Sequence, residues 1–336
     1  MKRLLVIRFS ALGDVAMTVP PLYALATQYP DLDITVLSRP FCAPFFERLP
    51  HNIHFVAADF HGRHKGFVGL NRLLCDVNIR SFDYIADLHD VLRTQWLRLV
   101  GRLCGKRVAV IDKGRAGKRA LVRRRHRQFV QQKTSFERYA DVFSRLGFAT
   151  HDTFERLDFS DLHTAQKPAN ARWIGIAPFA KHRGKIYPID KMEQVVATLS
   201  ALPNTTLFLF GAGASERAII ERWCRQYGHT YAAGGDQQIA HELALMAHLD
   251  VMLTMDSANM HMASLVGTRV VSVWGATHPY AGFLGYGQRE ADCIQRDMPC
   301  RPCSVFGNKP CRYGDYRCLN TITPNAIVCK LLEERA

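Results

Sequence analysis

The chain has 336 residues, 48% of them hydrophobic, and a formal net charge of +14. That length exceeds one ordinary core and predicts two domains of roughly 150 residues each. No stretch reaches the ~20 continuous apolar residues that span a bilayer, and the opening apolar run is too short, and broken by Arg8, to serve as a secretion signal. A soluble, cytoplasmic protein is expected.

In chain order, Leu4 to Ile7 reads as a buried parallel strand. The turn Arg8-Phe9-Ser10-Ala11-Leu12-Gly13-Asp14 follows, and from Val15 apolar residues continue at helical spacing through Leu22 and Leu25. Asp14 thus falls at the carboxyl end of a strand, where open α/β sheets place their ligands. A carboxylate there also favours the helix dipole, so on its own it decides nothing. Further strands are predicted at Ile34 to Leu37, Ile53 to Val56, Tyr84 to Asp87 and Val108 to Ile111. Helices are predicted around Pro21 to Gln28, Val68 to Cys75, Thr94 to Leu103 and Phe136 to Leu146. Such alternation argues for a parallel, doubly wound sheet.

Between Lys113 and Arg127 stand Lys113, Arg115, Lys118, Arg119, Arg123, Arg124, Arg125 and Arg127, with no acid among them. Eight like charges repel, so a polyanionic partner is expected: a phosphorylated glycolipid or anionic membrane surface, or a nucleic acid. The segment holds no aromatic residue, which argues against nucleic acid. A solvated surface is the plain alternative.

The polar stretch Asp161 to Arg172, with Pro168, is the best linker. It separates a first domain, 1–163, from a second, 172–336. The second half repeats the pattern. Strands are predicted at Trp173 to Ala177, Thr206 to Phe210, Val251 to Thr254 and Val270 to Trp274. Helices are predicted at Met192 to Leu199, Ser215 to Gln226, His241 to Ala247, Met260 to Val266 and Pro324 to Glu334. Two such domains form a cleft between their strand ends.

Three turns of the second domain carry chemistry. Ala177 to Pro188 holds Lys181, His182, Arg183 and Lys185, a set matched to a diphosphate. Phe210 to Glu216 is a Gly-rich strand-to-helix turn suited to a phosphate or ribose. Glu216 replaces the last glycine of the dinucleotide pattern, so ribose hydroxyls are its better partners. Met255 to His261 places Ser257 where it can cap a helix whose N–H groups would face a phosphate. Of ten cysteines, four cluster as Cys300-x2-Cys303-x7-Cys311-x6-Cys318. That spacing is not a zinc ribbon, and a thiol cluster without metal is the simpler reading.

Together these pieces resemble the bacterial heptosyltransferases of glycosyltransferase family nine. The matching segments are IRFSALGDVAMTVP, KIYP, MDSANMHMASLVGT and VVSVWGATHPY, in the family's order. The resemblance implies a GT-B fold, two Rossmann-like doubly wound domains facing across a cleft. It implies transfer of heptose from ADP-heptose to the inner core of lipopolysaccharide, with inversion and without metal or other cofactor. It also implies work at the inner face of the inner membrane. Asp14 matches the family's catalytic carboxylate, and Ser10, Ala11 and Gly13 the turn around the donor sugar. Lys185 matches a lysine on the donor phosphates. Asp256, Ser257, Ala258 and His261 match a nucleotide-holding DTGxxH segment, with Ser257-Ala258 replacing Thr-Gly. Ala180-Lys181 also departs from the hydroxyl residues some members carry.

The expected chemistry is a single displacement with Asp14 as general base. An ordinary aspartate, with a pKa near about 3.9, suits that task only if the proton moves late. Lys185, aided by Lys181 or Arg183, would stabilise the departing diphosphate. The basic segment, placed in the first domain, would serve the acceptor side. A GT-B enzyme acting on another nucleotide sugar, a non-heptose transferase or an epimerase, is the alternative left open.

Overall fold

The apolar run after Met1 becomes a strand because both its faces are covered. In the computed structural model, which describes residues 1–159, 161–162, 167–234 and 239–333, Leu4, Leu5, Val6 and Ile7 are fully buried within β1 (Lys2–Ile7). Around it lie β2 (Leu32–Ser38), β3 (Ile53–Ala57), β4 (Tyr84–Asp87) and β5 (Arg107–Val110). All pairs are parallel and the order is β3-β2-β1-β4-β5. Leu5, Ile7, Phe9, Leu37, Leu73, Phe82, Ile85 and Leu97 form the core on one face.

A second parallel sheet holds β6 (Arg172–Ala177), β7 (Thr205–Phe210), β8 (Thr230–Ala233), β9 (Val251–Met255), β10 (Val270–Val273) and β11 (Cys293–Ile294). Its order is β11-β10-β9-β6-β7-β8. The core pairs strand residues such as Ile174, Leu207 and Leu253 with Val195, Trp223 and Ile327 from covering helices. Both sheets are doubly wound, and each has one point where the strand order reverses: between β1 and β4, and between β6 and β9. Such switch points open a crevice at the carboxyl ends of the strands.

The chain divides into two compact units, Met1–Lys113 with Thr134–Leu157, and Gly114–Lys133 with Asp158–Ala336. This differs from the expected 1–163 and 172–336 in one consequential way. The basic segment, expected in the first domain, packs from Gly114 onward with the second. Gln132 N–H donates to the Tyr280 carbonyl, Arg127 donates to the Arg301 carbonyl, and Lys118 lies 4.2 Å from the Phe283 ring centroid. Arg115–Leu121 is helical. Lys118 is buried, whereas Arg115, Arg119, Arg123, Arg124 and Arg125 are exposed.

Three smaller expectations change. The helix expected to run on from Val15 is two helices, Leu12–Ala16 and Val19–Gln28, because Pro20 and Pro21 lack the N–H groups needed inside a helix and instead open the second one. Arg172, expected in the linker, begins β6, and residues 163–166 of that linker lie outside the described residues. The last helix is Pro324–Leu332, and Glu334 lies outside the described residues. Among the described residues no helix is long and apolar enough to cross a membrane.

Candidate active site

At the first switch point, Ile7 and Asp87 are register partners at the ends of β1 and β4. The turns that leave these strands therefore emerge side by side. Arg8 points back across them. Its Nη1 donates to the Leu88 carbonyl (2.5 Å) and its Nη2 lies 2.8 Å from Asp14 Oδ2. Asp14 sits in the first turn of Leu12–Ala16, where the Ala11 N–H also donates to Oδ2 (3.1 Å). The Arg8 side chain is 9% exposed and that of Asp14 36%, so a buried cation fixes a carboxylate that reaches solvent. Tyr139 closes the back of the pair: its hydroxyl donates to the Asp14 carbonyl (3.1 Å) and its ring lies 5.7 Å from the guanidinium. Burial pulls the Arg8 pKa down, but Tyr139, Asp14 and Asp87 outweigh it and leave it raised.

His89 completes this group. Its Nδ1 accepts from the Phe9 N–H (3.4 Å), which leaves the proton on Nε2, 3.2 Å from Ser10 Oγ. Burial, then Arg8 and Lys113, push His89 down to about 3, so it is neutral near pH 7. Asp87 anchors the turn, accepting from the His89 and Asp90 N–H groups and facing Arg98 at 3.2 Å.

At the second switch point, Ala177 and Thr254 are register partners in β6 and β9. Lys185 Nζ stands 2.9 Å from Asp256 Oδ2. The two sit at ion-pair distance without hydrogen-bond alignment, so charge rather than a directed bond joins them. The lysine stem is seated by close backbone approach. A Cβ on Gly307 would stand 2.7 Å from Lys185 Cγ, and one on Gly184 would stand 2.7 Å from the Gly307 carbonyl oxygen. Ser257 occupies the cap position of helix Ala258–Leu265 but makes no capping bond, contrary to expectation. Its buried Oγ has no hydrogen-bond partner among the described residues.

The other expected residues divide. Ser10, Gly13 and Asp14 share the first turn, while Ala11 is exposed there. Asp256, Ser257, Ala258 and His261 share the second, beside Lys185. Lys181 is exposed, and Arg183 is held within its own loop, donating to the Ile186 carbonyl (2.8 Å) with its guanidinium 4.6 Å from the Tyr316 ring centroid. Glu216, expected to face a ribose, accepts from the Ala212 N–H (2.8 Å) and so braces the Gly-rich turn. Burial raises Cys303, and pushes Cys318 up to about 11. Among the described residues no group of three or more His, Cys, Asp or Glu is arranged to hold a metal ion.

Sequence reasoning passed over Arg8, His89 and Tyr139. Arg39 was missed too; it follows β2, and its buried Nε has no hydrogen-bond partner among the described residues. Polar residues directly after a strand's carboxyl end are the signal that Arg8, Arg39 and His89 shared.

Two parallel doubly wound sheets, each with polar side chains gathered at its switch point, make a two-domain α/β protein of the GT-B fold. The chain belongs to glycosyltransferase family 9 (heptosyltransferase), whose sequence model matches residues 71–315. Over 290 residues it is 22% identical to lipopolysaccharide heptosyltransferase 3 of Escherichia coli (strain K12), covering 79% of this chain and 80% of that protein. A glycosyltransferase of family 9 from Veillonella parvula DSM 2008 superposes with a TM-score of 0.75 at 19% identity, over 99% of this chain and 98% of the other. The heptosyltransferase WaaC of E. coli, solved with ADP-2-deoxy-2-fluoro heptose, gives 0.67 at 16% identity over 97% of each chain. The ADP-heptose lipopolysaccharide heptosyltransferase II of E. coli gives 0.66 at 18% identity over 98% and 97%.

Proposed function

We propose that the enzyme transfers heptose from ADP-heptose to the inner core of lipopolysaccharide, by one inverting displacement that needs no metal. An acceptor hydroxyl oxygen bonds to the anomeric carbon as the bond from that carbon to the diphosphate oxygen breaks. The diphosphate leaves with the electron pair, and the hydroxyl proton passes to Asp14. The observation that carries the reading is the Arg8–Asp14 pair, a carboxylate fixed at a switch point yet open to solvent. Arg8 fixes the carboxylate so that little reorganisation is needed when the proton moves.

The second switch point suits the donor. Lys185 would stabilise charge gathering on the leaving diphosphate, the kind of preplaced charge that is usually the largest catalytic contribution. The first turn of Ala258–Leu265, which no side chain caps, adds N–H donors, and Ser257 Oγ a hydroxyl with no hydrogen-bond partner among the described residues. Lys181, Arg183 and His261 stand as nearby donor contacts, and Ser10, Ala11 and Gly13 as contacts to the sugar. The relatives whose names include ADP-heptose and lipopolysaccharide support this choice of substrates.

Work at the inner face of the inner membrane accords with the exposed Arg123, Arg124 and Arg125. Basic residues near an anionic surface contribute about 1 kcal/mol each. Reversing those three charges should abolish sedimentation with phosphatidylglycerol vesicles while leaving ADP affinity unchanged.

The direct test of the chemistry is Asp14→Asn. Transfer should fall by roughly 100-fold or more while calorimetry shows ADP-heptose binding retained. Turnover near that of the parent enzyme would remove Asp14 from the base role.

A further inference from the structure

The helices Gly66–Asp76 and Leu92–Leu103 cover one face of the first sheet, and Leu73, Leu74 and Leu97 carry them into its core. A covering helix ordinarily turns polar side chains outward. Here Leu92, Trp96, Leu99 and Leu103 recur at i, i+4, i+7 and i+11, opposite the buried Thr94, Leu97 and Gly101. The stripe is about 17 Å long at 1.5 Å per residue. Leu92 is 82% exposed and Leu103 79%, and Leu99 is exposed between them. Phe67 and Val68 of the other helix, 60% and 72% exposed, widen the stripe. The Phe67 ring lies 4.8 Å from that of Trp96, whose Nε1 donates to Asn71 Oδ1 (3.0 Å). Single exposed apolar side chains are ordinary, but six gathered on one face mark an interaction surface.

The charges beside the stripe say what covers it. Lys65, Arg72, Arg93 and Arg102 are exposed, and none forms an ion pair among the described residues. The one acid on the two helices, Asp76, is already held by Arg63 and His64. A second copy of the chain would bring these cations against themselves with no carboxylate to answer them. A folded protein partner needs polar groups that fix its register, and the Trp96 N–H is already taken by Asn71. An anionic lipid surface needs no register and offers both the charge and the apolar layer. The Leu92 end of the stripe also adjoins the first switch point. It begins three residues after His89, and the neighbouring Arg93 lies 4.7 Å over the Phe60 ring, itself 4.7 Å from Phe9.

We propose that this face docks on an anionic bilayer. Leu92, Leu99, Leu103 and Phe67 enter the headgroup boundary while Lys65, Arg72, Arg93 and Arg102 meet lipid phosphates. Helices that lie in a membrane interface carry this pairing of Leu, Phe and Trp with Lys and Arg. The inference rests on the proposed work at a membrane and names the surface that enters it. Arg123, Arg124 and Arg125 attract such a surface by charge alone, and stable attachment takes a second signal. Docking here holds the turn that carries Asp14 close to the headgroups of a lipid-borne acceptor.

The test uses the full-length protein and phosphatidylglycerol vesicles, plain or brominated in the acyl chains. Trp173, Trp223 and Trp274 are buried and Trp96 is not, so bromine should quench Trp96 emission. The quenching should vanish in Trp96→Phe. Leu92→Ser, Leu99→Ser and Leu103→Ser combined should weaken sedimentation with plain vesicles about tenfold or more. Arg93→Glu with Arg102→Glu should weaken it in the same direction. ADP affinity and a cooperative melt should persist in each variant, since all the substituted side chains lie outside the core. The proposal fails if the triple variant sediments like the parent, or if bromine leaves Trp96 emission unchanged. Vesicle binding through another surface would then stand. It also fails if sedimentation velocity shows a parent dimer that the triple variant dissociates while quenching is absent, which would make the face a contact between copies. A parent that does not sediment with phosphatidylglycerol at all overturns the membrane reading itself, and this surface with it.

Discussion

Arg8 and Asp14 form one ion pair: a guanidinium that is nearly buried stands 2.8 Å from an oxygen of a carboxylate side chain that is one-third exposed. Arg8 reaches it only because Ile7 is in register with Asp87, which brings the Leu88 carbonyl under the same guanidinium.

Arg8→Lys keeps the charge and loses the planar fork that meets the Leu88 carbonyl and Asp14 together. With the base misplaced by a fraction of its contact distance, kcat should fall roughly 10- to 100-fold. The Michaelis constant for the donor should stay within about twofold, since uniform binding is untouched. Steady-state rates with ADP-heptose check this; an unchanged kcat would show that the carboxylate needs no such clamp.

Lys185 and Asp256 are coupled in a different manner. Both side chains are largely buried, 14% and 5% exposed, so removing the cation leaves a carboxylate with no compensation. Lys185→Ala should cost about 3 kcal/mol of stability. Adding Asp256→Asn should recover most of that cost, because the stranded charge is gone. Donor affinity should not recover, since neither variant restores a cation for a diphosphate. Urea unfolding paired with ADP calorimetry separates the two effects, and recovery of ADP binding in the double variant would take Lys185 out of the donor site.

Both sheets were largely legible in the sequence because buried parallel strands are continuous apolar runs, as at Leu4 to Ile7 and Val251 to Thr254. The two strands passed over had no such run. β8 is an edge strand whose Tyr231 and Ala232 are exposed, and β11 has two residues. Asp14 and Lys185 were singled out as candidates by their turns, whereas Arg8 and His89 were not, since their contacts come from register between strands about 80 residues apart. The basic segment was assigned to the wrong unit for the same reason. Its packing partners, His278, Tyr280 and Phe283, lie some 150 residues later in the chain and leave no local trace at residues 114–133.

Gly184 and Gly307 make the seat of Lys185 sensitive to a single methyl. At Gly184 the added Cβ meets the Gly307 carbonyl oxygen at 2.7 Å and the Ala276 Cβ at 2.9 Å. Backbone cannot yield as a side-chain tip does, so Gly184→Ala should destabilise by about 1–3 kcal/mol. It should also weaken ADP binding, by moving the loop that carries Lys185. Loss of stability with full ADP affinity would mean that the loop shifts without its lysine.

Acid should destabilise the protein through two histidines kept neutral by the fold. His89 is pushed down to about 3 and His278 to about 4, each chiefly by burial. Unfolded, both return to about 6.5. Between those values the unfolded chain binds more protons than the folded one, so stability is complete above about pH 6.5 and falls as pH drops toward 4 and 3. Each group contributes a slope of up to about 1.4 kcal/mol per pH unit. His89→Gln removes one titrating ring while its amide can still donate toward Ser10 Oγ. In that variant the loss of Tm between pH 7 and pH 5 should be clearly smaller than that of the parent, because one of the shifted histidines no longer contributes its slope. Thermal melts across that range decide it: parallel Tm profiles for parent and variant would show that His89 is already protonated in the folded enzyme or that its burial is relieved on acidification.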